Sequence, residues 1–251
     1  GSYSFSKCGA CGLVYQHPRP KQEELLYRYD DDYFDYELEN ERAFFGLMKL
    51  ALSDVRFSGE IEPNAAGRRF LDVGCATGML LEEMKQRGWC GEGVEVCAPS
   101  AEYGIRMRGV KINIGTLEET GFPPEEFDVV HASHLIEHLT DPVGFVYEVY
   151  RILKPGGWAL ITTPNVGGLQ ARLFGRQWRS AIADHICLFS RRTLGKMLQE
   201  GGFVVERWKS WGGMAAGIAP VYVKKVLDTA AKGLGFGDVM IMRVRKPVTD
   251  R

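Results

Sequence analysis

The rhythm of apolar and polar positions changes near residue 69. Before it, residues 21–57 carry helical spacing: Leu25, Leu26 and Tyr29 in one stretch, then Phe44, Phe45, Leu47, Met48, Ala51, Leu52 and Val55 in a second. Residues 58–68 are polar, with Gly59, Pro63 and Asn64, and read as a boundary. After it, short apolar runs at 69–74, 91–96, 110–114, 127–132 and 157–163 alternate with helical stretches near 77–88, 98–108 and 142–153. That alternation predicts βαβ units around a parallel sheet, an α/β fold. The helix after Asp141 has an acidic cap, Pro142 at its first position and Pro155-Gly156-Gly157 as its stop. Another helix starts at Ser190 and stops at Gly201-Gly202, with strands near 203–210 and 238–246 closing the sheet. Between those strands, 214–234 reads as an inserted amphipathic helix. The predicted units are a Cys8-x-x-Cys11 knuckle and linker over 1–20, a helical lid over 21–60, and the main domain over 67–251.

Composition narrows the function. With 251 residues, 45% hydrophobic and 25% charged, the chain reads as an ordinary globular protein. The weakly polar stretch 214–223 is too short to cross a bilayer, so no membrane insertion is expected. Formal charge is −1, from 31 basic and 32 acidic residues, which disfavours a nucleic-acid partner. The segment 23–41 is acid-rich, while Arg172, Arg176, Arg179, Arg191 and Arg192 gather later. Two solvated faces are the plainer reading, and an anion-tolerant acceptor pocket is the sharper one. Six cysteines without a disulfide spacing fit a reducing, cytoplasmic setting.

The segment Leu71-Asp72-Val73-Gly74-Cys75-Ala76-Thr77-Gly78 leaves a predicted strand and opens a helix. Its small residues let backbone approach a ligand at the carboxyl edge of the sheet. Registered on Gly74, the dinucleotide pattern G-x-G-x-x-G places Asp72 and Thr77 where glycines belong. A carboxylate there opposes a pyrophosphate and tolerates S-adenosylmethionine, which is phosphate-free and cationic. That disfavours a nicotinamide oxidoreductase. Glu95 closes the next apolar run, Gly93-Val94-Glu95-Val96, where a carboxylate accepts both ribose hydroxyls.

Taken in order, LDVGCATG (71–78), GVEV (93–96), GTLEETGFPPEEFDVV (115–130), HLIEHLTDP (134–142) and LKPGGWALITTPN (153–165) resemble the motifs of class I S-adenosylmethionine-dependent methyltransferases. The ubiquinone-O-methyltransferase-like branch is the nearest in pattern. The resemblance implies a Rossmann-like, seven-stranded, mostly parallel sheet in the order 3-2-1-4-5-7-6, with helices on both faces and an N-terminal helical lid. It implies that Asp72, Gly74, Cys75, Ala76, Thr77 and Gly78 line the methionine part. Glu95 and Val96 then take the ribose, Thr116 and Leu117 flank adenine, and Ala132 and Ser133 lie under the cofactor. Asp31-Asp32-Tyr33-Phe34 resembles the lid helix of these enzymes, making Tyr33 a contact to the methionine end. The product would be S-adenosylhomocysteine.

His131, His134 and His138 fall within eight residues, with Glu137 beside the last. A helical turn after the fourth strand would put His134 and His138 on one face. Three readings stay open. Glu137 and His138 are structural packing; or His134 and His185 offer a general base, with His138 a further catalytic candidate; or His134, Glu137, His138 and His185 hold a divalent metal, the less favoured course. Trp178 and Phe174 are candidates to pack on an acceptor ring, although the core is the commoner fate of an aromatic. Cys8-x-x-Cys11 resembles half of a zinc ribbon, and a metal-free turn is favoured because tetrahedral zinc needs four ligands. The expected activity is methyl transfer to a small-molecule acceptor, oxygen favoured, with a sugar, glycan or natural product as acceptor. An RNA methyltransferase and a catalytically silent binding module remain the alternatives, and the chain is expected to be a monomer or homodimer.

Overall fold

A computed structural model describes residues 3–21, 24, 30–212 and 231–248. Seven strands form the main sheet: β3 (Arg69–Val73), β4 (Cys90–Glu95), β5 (Lys111–Ile114), β6 (Phe127–Ser133), β7 (Leu153–Pro164), β9 (Val204–Trp211) and β10 (Val239–Arg245). Their spatial order is β5-β4-β3-β6-β7-β10-β9. Counted within the sheet this is 3-2-1-4-5-7-6. Strands β5 through β7 pair in parallel, while β10 runs antiparallel to both neighbours. The order reverses between β3 and β6, and such switch points leave a crevice at the carboxyl ends of the strands.

Sheets covered on both faces are built from near-continuous apolar strands, as in the wholly buried stretches of β3 and β6. The side chains divide by parity. Phe70, Val129, Leu160 and Ile241 pack against helices α1 (Asp31–Asp54), α2 (Met79–Gln86) and α3 (Ala98–Arg108). Leu71, Val130, Ala159 and Met240 pack against α4 (Pro142–Ile152) and α6 (Arg191–Glu200) on the other face. The helix ends follow the sequence signals. The Asp141 carboxylate accepts from Gly144 N at 2.9 Å, and Ser190 forms a capping box with Thr193.

Several boundaries differ from expectation. Within residues 58–68, read as a boundary, a π-helix (Phe57–Ile61) runs into a 3-10 turn, and Phe57 and Ile61 are fully buried. Helix α4 stops at Ile152, and β7 begins at once, so Pro155, Gly156 and Gly157 lie within the strand. Backbone closeness explains this, since a Cβ at Gly157 would lie 3.0 Å from the Asp128 carbonyl. Of the lid, the structure shows one long helix, α1, capped by the Asp30 side chain on Tyr33 N. Residues 25–29 and most of the expected insertion at 214–234 lie outside the described residues.

The sequence reading missed a second sheet. Strands β1 (Ser4–Lys7) and β2 (Val14–His17) form a hairpin around the Cys8–Cys11 turn, and β2 pairs with β8 (Cys187–Leu188). Short helix α5 (Leu169–Phe174) and the loop after it bury Trp178 beneath this hairpin, with Leu188 and Ala171. Among the described residues no helix is long and apolar enough to cross a membrane.

Candidate active site at the sheet switch point

The glycine-rich turn begins where β3 ends. Gly74 donates to Val94 O at 2.8 Å and has φ +73°, and Gly78 has φ +74°. Positive φ suits glycine, and at Gly78 a Cβ would also meet Val110 at 2.9 Å. The turn therefore wraps tightly over the end of β4. There the Glu95 carboxylate accepts from Ala76 N at 2.9 Å and from Cys97 N at 2.8 Å. Each oxygen keeps a further lone pair. Burial pushes the Glu95 carboxyl up to about 7, nearby Glu37 adds to the rise, and the two amides oppose it. Gly115 N bonds Glu95 O at 2.9 Å, setting half-buried Thr116 and buried Leu117 beside the same strand end.

Asp72 faces into the protein. Its carboxylate meets His131 Nδ1 at 2.7 Å, across neighbouring β3 and β6, and both side chains are nearly inaccessible. Ala132 is buried and Ser133 half-buried at the end of β6. Cys75 is buried, and burial holds its thiol well above the usual range.

Helix α1 is clamped onto this turn. Glu41 accepts from Thr77 Oγ1 at 3.0 Å and from Arg108 at 2.6 Å, while Arg108 also reaches Thr77 O at 3.1 Å. One turn earlier on α1 is half-buried Glu37, hydrogen-bonded to Tyr33, its carboxyl raised by burial. The sequence reading passed over Glu37 and Glu41. Their signal was the i, i+4 spacing from Tyr33 in a segment read as a solvated acidic face.

The histidine group follows β6, on the other side of the switch point. His134 follows β6 with φ +53°, a conformation uncommon for a residue bearing a Cβ. Its Nδ1 lies 3.1 Å from Oε1 of fully buried Glu137, whose Oε2 accepts from Thr163 Oγ1 at 2.9 Å. Burial alone would raise the Glu137 carboxyl, but the hydrogen bond and charge of His134, with His138 and His185, draw it down to about 2. A 3-10 turn over Ile136–His138 replaces the helical turn expected there, so His134 and His138 part. His138 Nδ1 meets Asp184 O at 2.9 Å, and His185 Nδ1 meets Ser180 O at 2.8 Å. The two imidazole rings sit 4.8 Å apart. Ligand atoms of Glu137, His138 and His185 lie within 4.8 Å of one another, while His134 is outside that group. Burial lowers the His185 pKa, favouring the neutral imidazole over the imidazolium.

Trp178 is 3% exposed in the small core and donates to Asp238, so its ring packs in the protein interior. Arg179 pairs with Asp238, Arg172 covers Phe236 and Arg191 covers Trp208, so each of the three is engaged with a protein side chain. Cys8 and Cys11 are free thiols, and among the described residues no third metal-capable side chain joins them.

Comparison with known proteins bears on the domain that carries this site. Residues 46–207 match the family model of a methyltransferase domain. The ubiquinone biosynthesis O-methyltransferase of Pseudomonas fluorescens (strain Pf0-1) is 37% identical over 110 residues, 41% of this chain and 47% of that protein. That of Pseudomonas entomophila is 38% identical over 108 residues, 40% of this chain and 46% of the relative. The chain thus spans about half the length of these curated relatives. Among solved structures, a SAM-dependent methyltransferase from Archaeoglobus fulgidus aligns with TM-score 0.62 at 21% identity, covering 86% of this chain and all of that one. The methyltransferase of Haloferax volcanii in complex with the Trm112 activator aligns with TM-score 0.61 at 16% identity, over 85% of this chain and 97% of its own. With the matched domain covering well over half of its length, the chain belongs to the class I S-adenosylmethionine-dependent methyltransferases.

Proposed function

We propose that the chain transfers the methyl group of S-adenosylmethionine to a hydroxyl of a small-molecule acceptor. One observation carries this reading: Glu95 is hydrogen-bonded to the Gly74–Gly78 turn at the ends of β3 and β4, and the His134–Glu137 pair follows β6, on the other side of the switch point. On the first bank, Glu95 receives the ribose hydroxyls through its remaining lone pairs, and the turn holds the methionine part. Thr116 and Leu117 flank adenine, and Tyr33 closes from above.

On the second bank, His134 donates Nδ1–H to Glu137 and keeps Nε2 free to accept a proton. The acceptor oxygen attacks the methyl carbon as the carbon–sulfur bond breaks. The bonding pair stays on sulfur, giving S-adenosylhomocysteine, and the acceptor proton passes to His134. Alignment for such an in-line displacement supplies about 7–11 kcal/mol, and a placed base adds about 10²–10⁴-fold. The names of the Pseudomonas relatives favour oxygen as the methylated atom.

A second reading rests on the ring orientations. His138 and His185 each commit Nδ1 to a backbone carbonyl, leaving the Nε2 lone pairs for a divalent ion beside Glu137. With two imidazoles and one carboxylate, the set suits a softer transition metal better than magnesium. Such an ion would lower the pKa of a bound acceptor hydroxyl.

An acceptor screen scored by S-adenosylhomocysteine release, run on wild type and His134→Ala with and without a chelator, tests both readings. Turnover that the chelator leaves untouched and that falls in the variant supports the base. Turnover abolished by chelation and restored by zinc or manganese supports the ion. A wild-type protein that binds no S-adenosylmethionine by calorimetry would falsify the assignment as a whole.

A further inference from the structure

The inner face of α1 is mapped by its contacts. Asp30 O lies 3.9 Å from Cys97 Sγ, the Phe34 ring sits 5.8 Å from Tyr103, and Glu41 grips Thr77 and Arg108. Residues 30, 34, 37 and 41 recur at three- and four-residue spacing, so they share one side of the helix. Glu37 therefore sits between the contact to α3 and the clamp on the glycine turn, above the crevice. Its charge is felt by Glu95 and Cys97 on one bank, and it feels His134 on the other.

Two acids thus address one cleft, one from the lid and one from the end of β4. Among the described residues neither forms an ion pair with lysine or arginine. Like charges in partly desolvated surroundings repel, and an arrangement of this kind is relieved by a cation placed between them. In the cofactor one carbon joins the sulfur to the sugar ring, so a ribose bound at Glu95 would keep the sulfonium close to the cleft that Glu37 addresses from α1. Asp72, the other acid of the turn, is taken up by His131.

Resting on the methyl-transfer reading, we propose that Glu37 is the counter-charge of the sulfonium, so that the lid distinguishes substrate cofactor from spent product. Methyl transfer leaves a neutral thioether and removes the partner of Glu37. The helix then loses that part of its hold on the ligand, and release of S-adenosylhomocysteine is eased. Tyr33, bonded to the same carboxylate, positions it.

The test is calorimetric titration of wild type, Glu37→Gln and Glu37→Asp with S-adenosylmethionine and, separately, S-adenosylhomocysteine. Both ligands carry the α-ammonium and carboxylate, and only the first carries the sulfonium. In Glu37→Gln, affinity for S-adenosylmethionine should fall about tenfold and that for S-adenosylhomocysteine less than about threefold, roughly the loss of one screened charge pair. Glu37→Asp, which keeps the charge, should recover at least half of the discrimination. Parallel losses for both ligands, or an unchanged ratio, would overturn the proposal, because a merely structural role moves both constants together. A wild type that binds neither ligand would instead remove the methyl-transfer reading, and this proposal with it.

Discussion

The two banks of the crevice are built by different means. The turn and Glu95 on one bank are local: their mutual hydrogen bonds lie at the ends of β3 and β4 and run through backbone amides, with the α1 clamp of Glu41 and Arg108 added from outside. The acceptor bank is assembled from afar. Glu137 is fixed by Thr163, His138 by the Asp184 carbonyl and His185 by the Ser180 carbonyl, on segments 26 to 46 residues from the 3-10 turn or on the loop that follows α5. On the proposed reading, the bank built by short-range backbone geometry takes the cofactor and the one built by longer-range side-chain packing takes the acceptor, where one fold can serve different substrates.

Perturbing one bank should therefore move one kinetic constant. The largest effect is expected on the acceptor side. His134→Ala should lower kcat about 10²–10⁴-fold and leave the S-adenosylmethionine Kd within threefold by calorimetry. A large loss of cofactor affinity would show that the banks are not separable. Next, Glu95→Ala removes a charge-assisted acceptor worth about 1.5–3 kcal/mol. Its cofactor Kd should rise at least about tenfold with the fold intact by circular dichroism.

The third expectation concerns pH. The buried Glu95 carboxyl lies near 7, above the 4.5 of an exposed carboxyl. The folded apo protein then holds a proton that the unfolded chain releases, so stability falls as pH rises from about 4.5 to about 7. Urea titrations should show that decline, by about 1–3 kcal/mol, and Glu95→Gln should flatten it. Ionised Glu95 is also the better ribose acceptor, so cofactor affinity should climb through pH 7. The smallest effect is expected at the lid clamp. Glu41→Gln keeps the hydrogen bond to Thr77 and loses the ion pair with Arg108, and it should weaken cofactor binding only about two- to fivefold.

The same contrast accounts for what the sequence made legible. All seven strands of the main sheet and their order follow from the apolar runs and the motif resemblance, most directly at central β3 and β6, where burial on both faces writes itself into nearly continuous apolar stretches. The glycine turn and Glu95 announce themselves through spacing. The inward turn of Asp72 was hidden, because only strand pairing places His131 beside it. Glu37 and Glu41 looked like solvent-facing acids until the helix was docked on the turn. The hairpin escaped notice because its third strand, only two residues long, comes from residues 187–188.

That hairpin has a mechanical consequence. Gln16 donates its backbone N–H to Ile186 O at 2.8 Å and its side-chain amide to Ala183 O at 3.2 Å, gripping the chain on both sides of His185. Through these two bonds the amino-terminal segment holds the backbone that carries the imidazole facing His138. Gln16→Ala should leave cofactor titration unaltered while shifting the His185 ring resonances in an NMR spectrum; unmoved resonances would show the brace to be idle.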